Sequence, residues 1–194
     1  GIHGPNVMSA VTTPFMTKMM ATNLELYQAG EGVTASGVFY TAGSKYSIIA
    51  NPFASGWFSS TGSGITMGLI VAIMLFSKRD DFKAIAKLAI PCGLFNINEP
   101  IIFGIPMVMN AMFAVPFFLA PVACVCCGYL VQSLGLCPLF VIDVPWTTPV
   151  GLFGFLASSG NIMGAIWQVV IIVGVSTLIY TPFVIAANRQ EAAA

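Results

Sequence analysis

Three long stretches of this chain carry no charged residue: Tyr46 to Ser77, Pro100 to Ile142, and Val144 to Asn188. Each exceeds the ~20 apolar residues that take a helix across a hydrocarbon core ~30 Å thick. Over the whole chain only 7% of residues are charged and 57% are hydrophobic, with a mean hydropathy of +0.90. A soluble domain is roughly a quarter charged, so these residues cannot cover a water-facing surface. The chain is read as an integral membrane protein. Its net charge of zero provides no basic face for nucleic acid.

The charges that remain punctuate the chain. KRDDFKAIAK, from Lys78 to Lys87, holds four of the seven basic residues. By the positive-inside rule it marks a cytoplasmic loop. Its i, i+4 pair Lys83 and Lys87, with Phe82, Ile85, Ala86 and Leu88 on other faces, predicts an amphipathic surface helix or the wet start of a helix. Arg189 is a second, weaker marker of the same side, so an even number of crossings should separate the two. Met8 to Met20 is expected to form a short helix broken at Pro14, and Thr22 to Ala54 to form turns and short pieces. Trp57 to Ser77 is expected to be a first span, in which Gly62, Ser63, Gly64 and Gly68 admit a close neighbour. Met107 to Gln132 should be a crossing kinked by Pro116 and Pro121. Gly135 to Gly160 suits a loop or a broken segment. Ile162 to Ala187 is the cleanest span. The chain opens GIHGPNVMSA, with neither the basic start nor the apolar core of a secretory signal. It is read as a C-terminal piece of a longer protein, or a trimmed form of one.

Ionisable groups at membrane depth are few: Glu99, Asp143 and His3. A carboxylate at the bilayer centre costs ~3 kcal/mol on insertion scales and by default marks a pathway or a site. Glu99 lies in NINEPIIFG (Asn96 to Gly104), directly before Pro100, which biases it away from helical geometry. Asn96 and Asn98 supply amides beside it, and Gly104 and Pro106 bound the far end. This pattern predicts a hairpin tip or broken helix facing a polar cavity. Carboxylates and carboxamides grip sugar hydroxyls through paired hydrogen bonds. The same groups can hold a cation, relay a proton or brace a loop, so the residues alone leave these roles open. Trp146, in VPWTTP, offers either a stacking face for a sugar or an interface anchor. Asp143 is expected to cap or brace a loop. The cysteines Cys124, Cys126 and Cys127 lack His or carboxylate neighbours for a metal and read as buried free thiols. No nucleophilic triad and no phosphate-cradling GxxxxGK[ST] motif occurs, so no catalytic residue, metal or cofactor is assigned.

GIHG (Gly1 to Gly4), GSGITMGL (Gly62 to Leu69), FNINEPIIFGIPMVMNAMFAVPF (Phe95 to Phe117) and VPWTTP (Val144 to Pro149) together resemble one family. It is the membrane-embedded IIC subunit of the bacterial phosphoenolpyruvate-dependent sugar phosphotransferase system, in its lactose/cellobiose/diacetylchitobiose branch. NEPIIFGIP is the most specific of these motifs; Thr61 departs from the glycine pair usual before Ser63. The resemblance implies an all-α, polytopic protein of the bacterial inner membrane, with transmembrane helices and two re-entrant helical hairpins. Residues 1–194 would be its C-terminal substrate-binding (transport) domain, without the N-terminal scaffold half. It further implies a homodimer that moves a β-linked disaccharide, such as cellobiose, chitobiose or lactose, like an elevator. The sugar would pass to a cytosolic IIB subunit, whose phosphocysteine phosphorylates it, so the phosphoryl chemistry would reside on IIB. Sugar contact falls by resemblance on Glu99, Asn98, His3 and Trp146. An ion-coupled transporter with Glu99 as coupling site, and a non-transporting membrane fragment, are the rival readings.

Overall fold

The computed structural model describes residues 4–105, 107 and 110–192. It is helical apart from one small hairpin. The elements are α1 (Gly4–Gln28), β1 (Val33–Thr34), β2 (Gly37–Val38), α2 (Asn51–Trp57), α3 (Met67–Phe76), α4 (Asp80–Leu94) and α5 (Glu99–Gly104). They continue with α6 (Ala111–Ser133), α7 (Leu152–Ala157), α8 (Ile162–Val169), a π-helical stretch Val170–Val175, and α9 (Ser176–Ala192).

Among the described residues, two helices are long and apolar enough to cross a membrane, Ala111–Ser133 and Ile162–Arg189. Both leave large apolar side chains outside, including Phe118 at 72% and Leu178 at 75% exposure. Water would penalise such surface, whereas hydrocarbon does not. The two run antiparallel: Cys124 on α6 donates its thiol to Ile171 O (3.6 Å), and Phe113 shares a buried cluster with Tyr180 and Val184. The π stretch displaces carbonyls from their usual partners. Side chains meet some of them, Cys124 at Ile171 and the Ser176 hydroxyl at Ile172 and Val173.

α3 lies parallel to α9. A Cβ on Gly68 would clash with Ser176, and at the other end Asn188 accepts from Lys78 N–H (2.9 Å) and donates to Phe76 O (2.9 Å). That clasp brings the two basic markers to one end of the molecule, with two long apolar helices between them, as the even-crossing expectation required. The close approach expected of Gly62, Gly64 and Gly68 is found at all three: a Cβ there would meet Asn98, the Phe117 ring and Ser176 respectively. α4 is amphipathic as expected, burying Phe82, Ala86, Ala89 and Gly93 in one stripe. At its wet start the Arg79 guanidinium bonds Asp81 and holds that carboxyl below its ordinary range.

Several expectations are corrected. α1 runs unbroken through Pro14 to Gln28, because one missing N–H leaves the rest of a 25-residue helix intact. Its end absorbs the start of the Thr22–Ala54 stretch, whose remainder holds the β1–β2 hairpin and a loop pinned by Asn23, which exchanges two bonds with Ser47. Trp57 to Ser77 is not one helix. α2 ends at Trp57 and α3 starts at Met67, and in the break between them Thr61, Gly62, Gly64 and Ile65 all take positive φ. The α6 helix starts at Ala111, where Asn110 caps it by accepting from Met112 N–H (3.1 Å). Ile162 onward is continuous, as expected.

Glycine spacing between α3 and α9 should be limiting. Gly68→Leu is expected to cost about 1–3 kcal/mol by overpacking and to lower the thermal midpoint in detergent. Gly174→Ala, at a position where a Cβ meets nothing within 4 Å, should leave it nearly unchanged.

Candidate functional site

The site grows from the way NINEP stops one helix and starts another. α4 ends in a tight C-terminal turn: Asn96 N–H donates to Gly93 O (3.1 Å) and Ile97 N–H to Cys92 O (3.0 Å), with Asn96 at φ +64°. Asparagine is the residue after glycine that best tolerates this left-handed position. Asn98 then stands at the N-cap of α5, with Glu99 in its first turn and Pro100 directly behind. α5 folds back along α4, because a Cβ on Gly104 would sit 2.6 Å from Ile85 Cγ2. The element is a helical hairpin with residues 95–98 at its tip.

Two further segments meet that tip. The first is the α2–α3 break. Asn96 Oδ1 accepts from Thr61 N–H (2.7 Å), and Asn98 Nδ2 donates to Ser63 O (2.6 Å). The second is the PWTTP loop: Asn96 Nδ2 donates to Trp146 O and to Thr148 O (3.0 Å). That loop is the tip of a second out-and-back element. Its outgoing arm is extended, with Leu139 N–H donating to Val38 O (2.7 Å) and Val141 N–H to Ala157 O (2.8 Å); its returning arm is α7. α3 links the break to the basic end of the molecule. Its ten residues rise about 15 Å, so the three segments join about that far from the basic end.

The junction concentrates strain. Among the described residues four non-glycines take positive φ, namely Thr61, Ile65, Asn96 and Ser159, and three of them lie here. Thr61 and Ile65 are β-branched, for which this region is costly. Thr61 is held there by Asn96, by Thr66 Oγ1 donating to Thr61 O (3.2 Å), and by Met67 N–H donating to Thr61 Oγ1 (3.4 Å). Strain of this kind persists where its surroundings over-determine it, and it clusters at ligand sites and switches.

The expected site residues fall as follows. Glu99 is exposed at the tip and Trp146 is 62% exposed on the loop that Asn96 ties to it. Asn98 is buried, with its amide nitrogen on Ser63. His3 and Pro106 lie outside the described residues. Asp143 braces a loop, its Oδ1 3.4 Å from Asn51 Nδ2, the kind of role expected of it. Of the cysteines, Cys124 and Cys137 are buried free thiols, while Cys126 faces outward from α6. Sequence reasoning missed Asn96 as the hub and missed Gln168. The usable signal for Gln168 was a lone carboxamide in the apolar run from Ile162 to Ala187. Concavities occur elsewhere, in a shallow groove at Ser9, Thr13 and Thr17 and in an apolar recess of about 90 Å³ at Met107, Ala114, Phe117 and Phe118. Glu99 and Trp146 are instead each exposed, outside both concavities.

Asn96 supplies both a conformation and three bonds. Asn96→Gly keeps the conformation and loses the bonds; Asn96→Ala loses both, at about 1 kcal/mol further cost. Thermal midpoints should fall in the order wild type, Asn96→Gly, Asn96→Ala, and the reverse order for the two variants would contradict this role of the turn.

Comparison with known proteins agrees with this architecture. Residues 1–121 match the family model described as "Phosphotransferase system, EIIC". The cellobiose-specific EIIC component of Lactococcus lactis subsp. lactis is 36% identical over 202 residues, covering 98% of this chain and 40% of that protein. The lichenan permease IIC component of Bacillus subtilis is 36% identical over 192 residues, with the same coverage of 98% and 40%. The crystal structure of the transporter ChbC, the IIC component of the N,N'-diacetylchitobiose-specific phosphotransferase system, superposes with a TM-score of 0.85 at 33% identity. It is matched over 100% of this chain and 42% of its own. The chain thus spans about 40% of the length of the relatives it matches. On the strength of the family match and of these relatives, the chain belongs to the phosphotransferase system EIIC family.

Proposed function

We propose that this chain is the sugar-binding, transport part of a IIC permease for a β-linked disaccharide, in the inner membrane of a bacterium. The observation that carries the reading is the clasp at Asn96. It joins the NINEP tip to the strained break and to the PWTTP loop, and it leaves Glu99 and Trp146 outside on the same junction. An ionised carboxylate accepts two hydroxyl hydrogens at once, and such charge-assisted bonds are about twice as strong as neutral ones. An indole face packs against the C–H side of a pyranose. Glu99 therefore orients a sugar hydroxyl and Trp146 stacks on the ring.

Asn98 fixes the break through Ser63 and keeps Oδ1 for the sugar, and His3 adds a polar contact. Relatives named for cellobiose, lichenan and N,N'-diacetylchitobiose support a β-linked disaccharide. In this reading the protein works as a homodimer with its scaffold half. The oriented hydroxyl is presented at the cytosolic face to the phosphocysteine of a IIB subunit. No covalent step falls on this chain.

Calorimetry with cellobiose and N,N'-diacetylchitobiose tests the reading. Glu99→Gln removes the charge while keeping the shape, and should weaken binding at least tenfold (about 1.4 kcal/mol) without impairing insertion. Undiminished affinity would refute the role of Glu99. Uptake that needs a proton gradient but no phosphoenolpyruvate would instead make Glu99 an ion-coupling residue.

A further inference from the structure

Beneath the junction lies a second carboxamide. Gln168, on α8, is completely buried. Its Oε1 accepts from Gly151 N–H (2.9 Å) and Gly154 N–H (2.8 Å), while its Nε2 lies 3.2 Å from both Gly56 O and Ser60 Oγ. The first pair are free amides at the start of α7. That helix has glycine at its N-cap and no side-chain cap of its own. Of the second pair, Gly56 lies in the last turn of α2 and Ser60 at the start of the break that follows it. One side chain thus bridges the two segments: it meets the Gly151 and Gly154 amides, which would otherwise be buried unpaired at a cost, and it adds to the Ser60 Oγ–Gly56 O bond (2.8 Å) already present on the other side. Space for it comes from glycine: a Cβ on Gly154 would lie 2.5 Å from Gly164 O and 2.9 Å from Gln168 Oε1.

The two segments that Gln168 joins are the two that Asn96 joins. Ser60 directly precedes Thr61, whose N–H reaches Asn96, and Gly151 follows the loop whose Trp146 and Thr148 carbonyls do the same. One carboxamide clamps the break to the loop at the hairpin tip, and the other clamps them from beneath.

We infer that Gln168 is a positioning residue for the sugar site: it sets the separation of the α2–α3 break from the PWTTP loop, and thereby the stacking face of Trp146. The inference rests on the sugar-site reading of Glu99 and Trp146. Gln168 touches no substrate and acts only through the backbone it holds.

The test uses the protein in lipid nanodiscs, with Gln168→Leu, Gln168→Glu and Glu99→Gln. Cellobiose affinity is measured from about pH 5 to 9. Separately, without sugar, the distance between spin labels at the exposed positions Ser59 and Thr147 is recorded. Gln168→Leu should weaken cellobiose binding about tenfold and broaden the distance distribution. Gln168→Glu should resemble wild type at low pH, where a protonated carboxyl still accepts from the glycines and donates to Gly56 O. Its affinity should fall as pH rises, because the charge is disfavoured by burial and repelled by that carbonyl. Wild type should show no such dependence.

The inference is overturned if Glu99→Gln abolishes binding while both Gln168 variants bind like wild type across the pH range. An unchanged Ser59–Thr147 distribution in Gln168→Leu overturns it equally. If no form binds cellobiose, the sugar-site reading fails, and the spin-label distance still decides whether Gln168 sets the junction. If Gln168→Leu does not fold, the pH titration of Gln168→Glu decides the question within a single folded protein: a flat profile overturns the inference and a falling one supports it.

Discussion

The junction of the hairpin tip, the α2–α3 break and the PWTTP loop hangs on the side chain of Asn96. Its carbonyl takes the N–H of Thr61, and its amide reaches the carbonyls of Trp146 and Thr148. Each such bond contributes only about 1 kcal/mol net, because folding exchanges bonds to water for bonds within the protein. In a low-dielectric interior the decisive quantity is the larger cost of leaving a buried amide unmet. Three chain segments far apart in sequence are therefore held together by one group that cannot release any of them without penalty. Its left-handed backbone is also what ends α4. The residue that creates the tip and the residue that docks it are the same.

The neighbours follow from that clasp. The α2–α3 break must present Thr61 N–H to Asn96 and Ser63 O to Asn98, so its backbone leaves the helix and enters positive φ at Thr61, Gly62, Gly64 and Ile65. Tyr180 of α9 then closes the break from the opposite side, donating to Gly64 O (2.7 Å), while the Phe117 ring fills the place where a side chain on Gly64 would be. Irregular backbone inside a membrane is tolerated only where protein satisfies it. Here side chains from α4's hairpin and from α9 do so. The side chains of Glu99 and Trp146 remain outward, while the Trp146 carbonyl is held by Asn96.

Much of this was legible in the residues. Charge-free runs announced membrane helices. The basic cluster at Lys78 to Lys87 and Arg189 announced a common side, which the Asn188 clasp realises. NINEP announced a break with a carboxylate on it. The misreadings share a cause. Trp57 to Ser77 is apolar enough to pass for one span, and composition cannot register that Asn96 and Asn98, over thirty residues later, pull its middle out of helix. Pro14 reads as a breaker because the propensity argument counts one lost bond and not those that persist. Gln168 stands out in the sequence as a lone carboxamide in an apolar run, but its role does not, because its four partners come from segments that only the fold brings together. Local signals reveal where a chain bends, and tertiary satisfaction of polar groups decides what the bend is for.

If the tip and the loop form one sugar-binding face, bound sugar must cover Trp146. Hydroxyl-radical footprinting of Trp146, with and without saturating cellobiose, measures that cover, with the fully buried Trp57 as an internal reference. Cellobiose should protect Trp146 and leave Trp57 unchanged, and the protection should disappear in Glu99→Gln. Equal labelling of Trp146 in the presence and absence of bound sugar would contradict such a face.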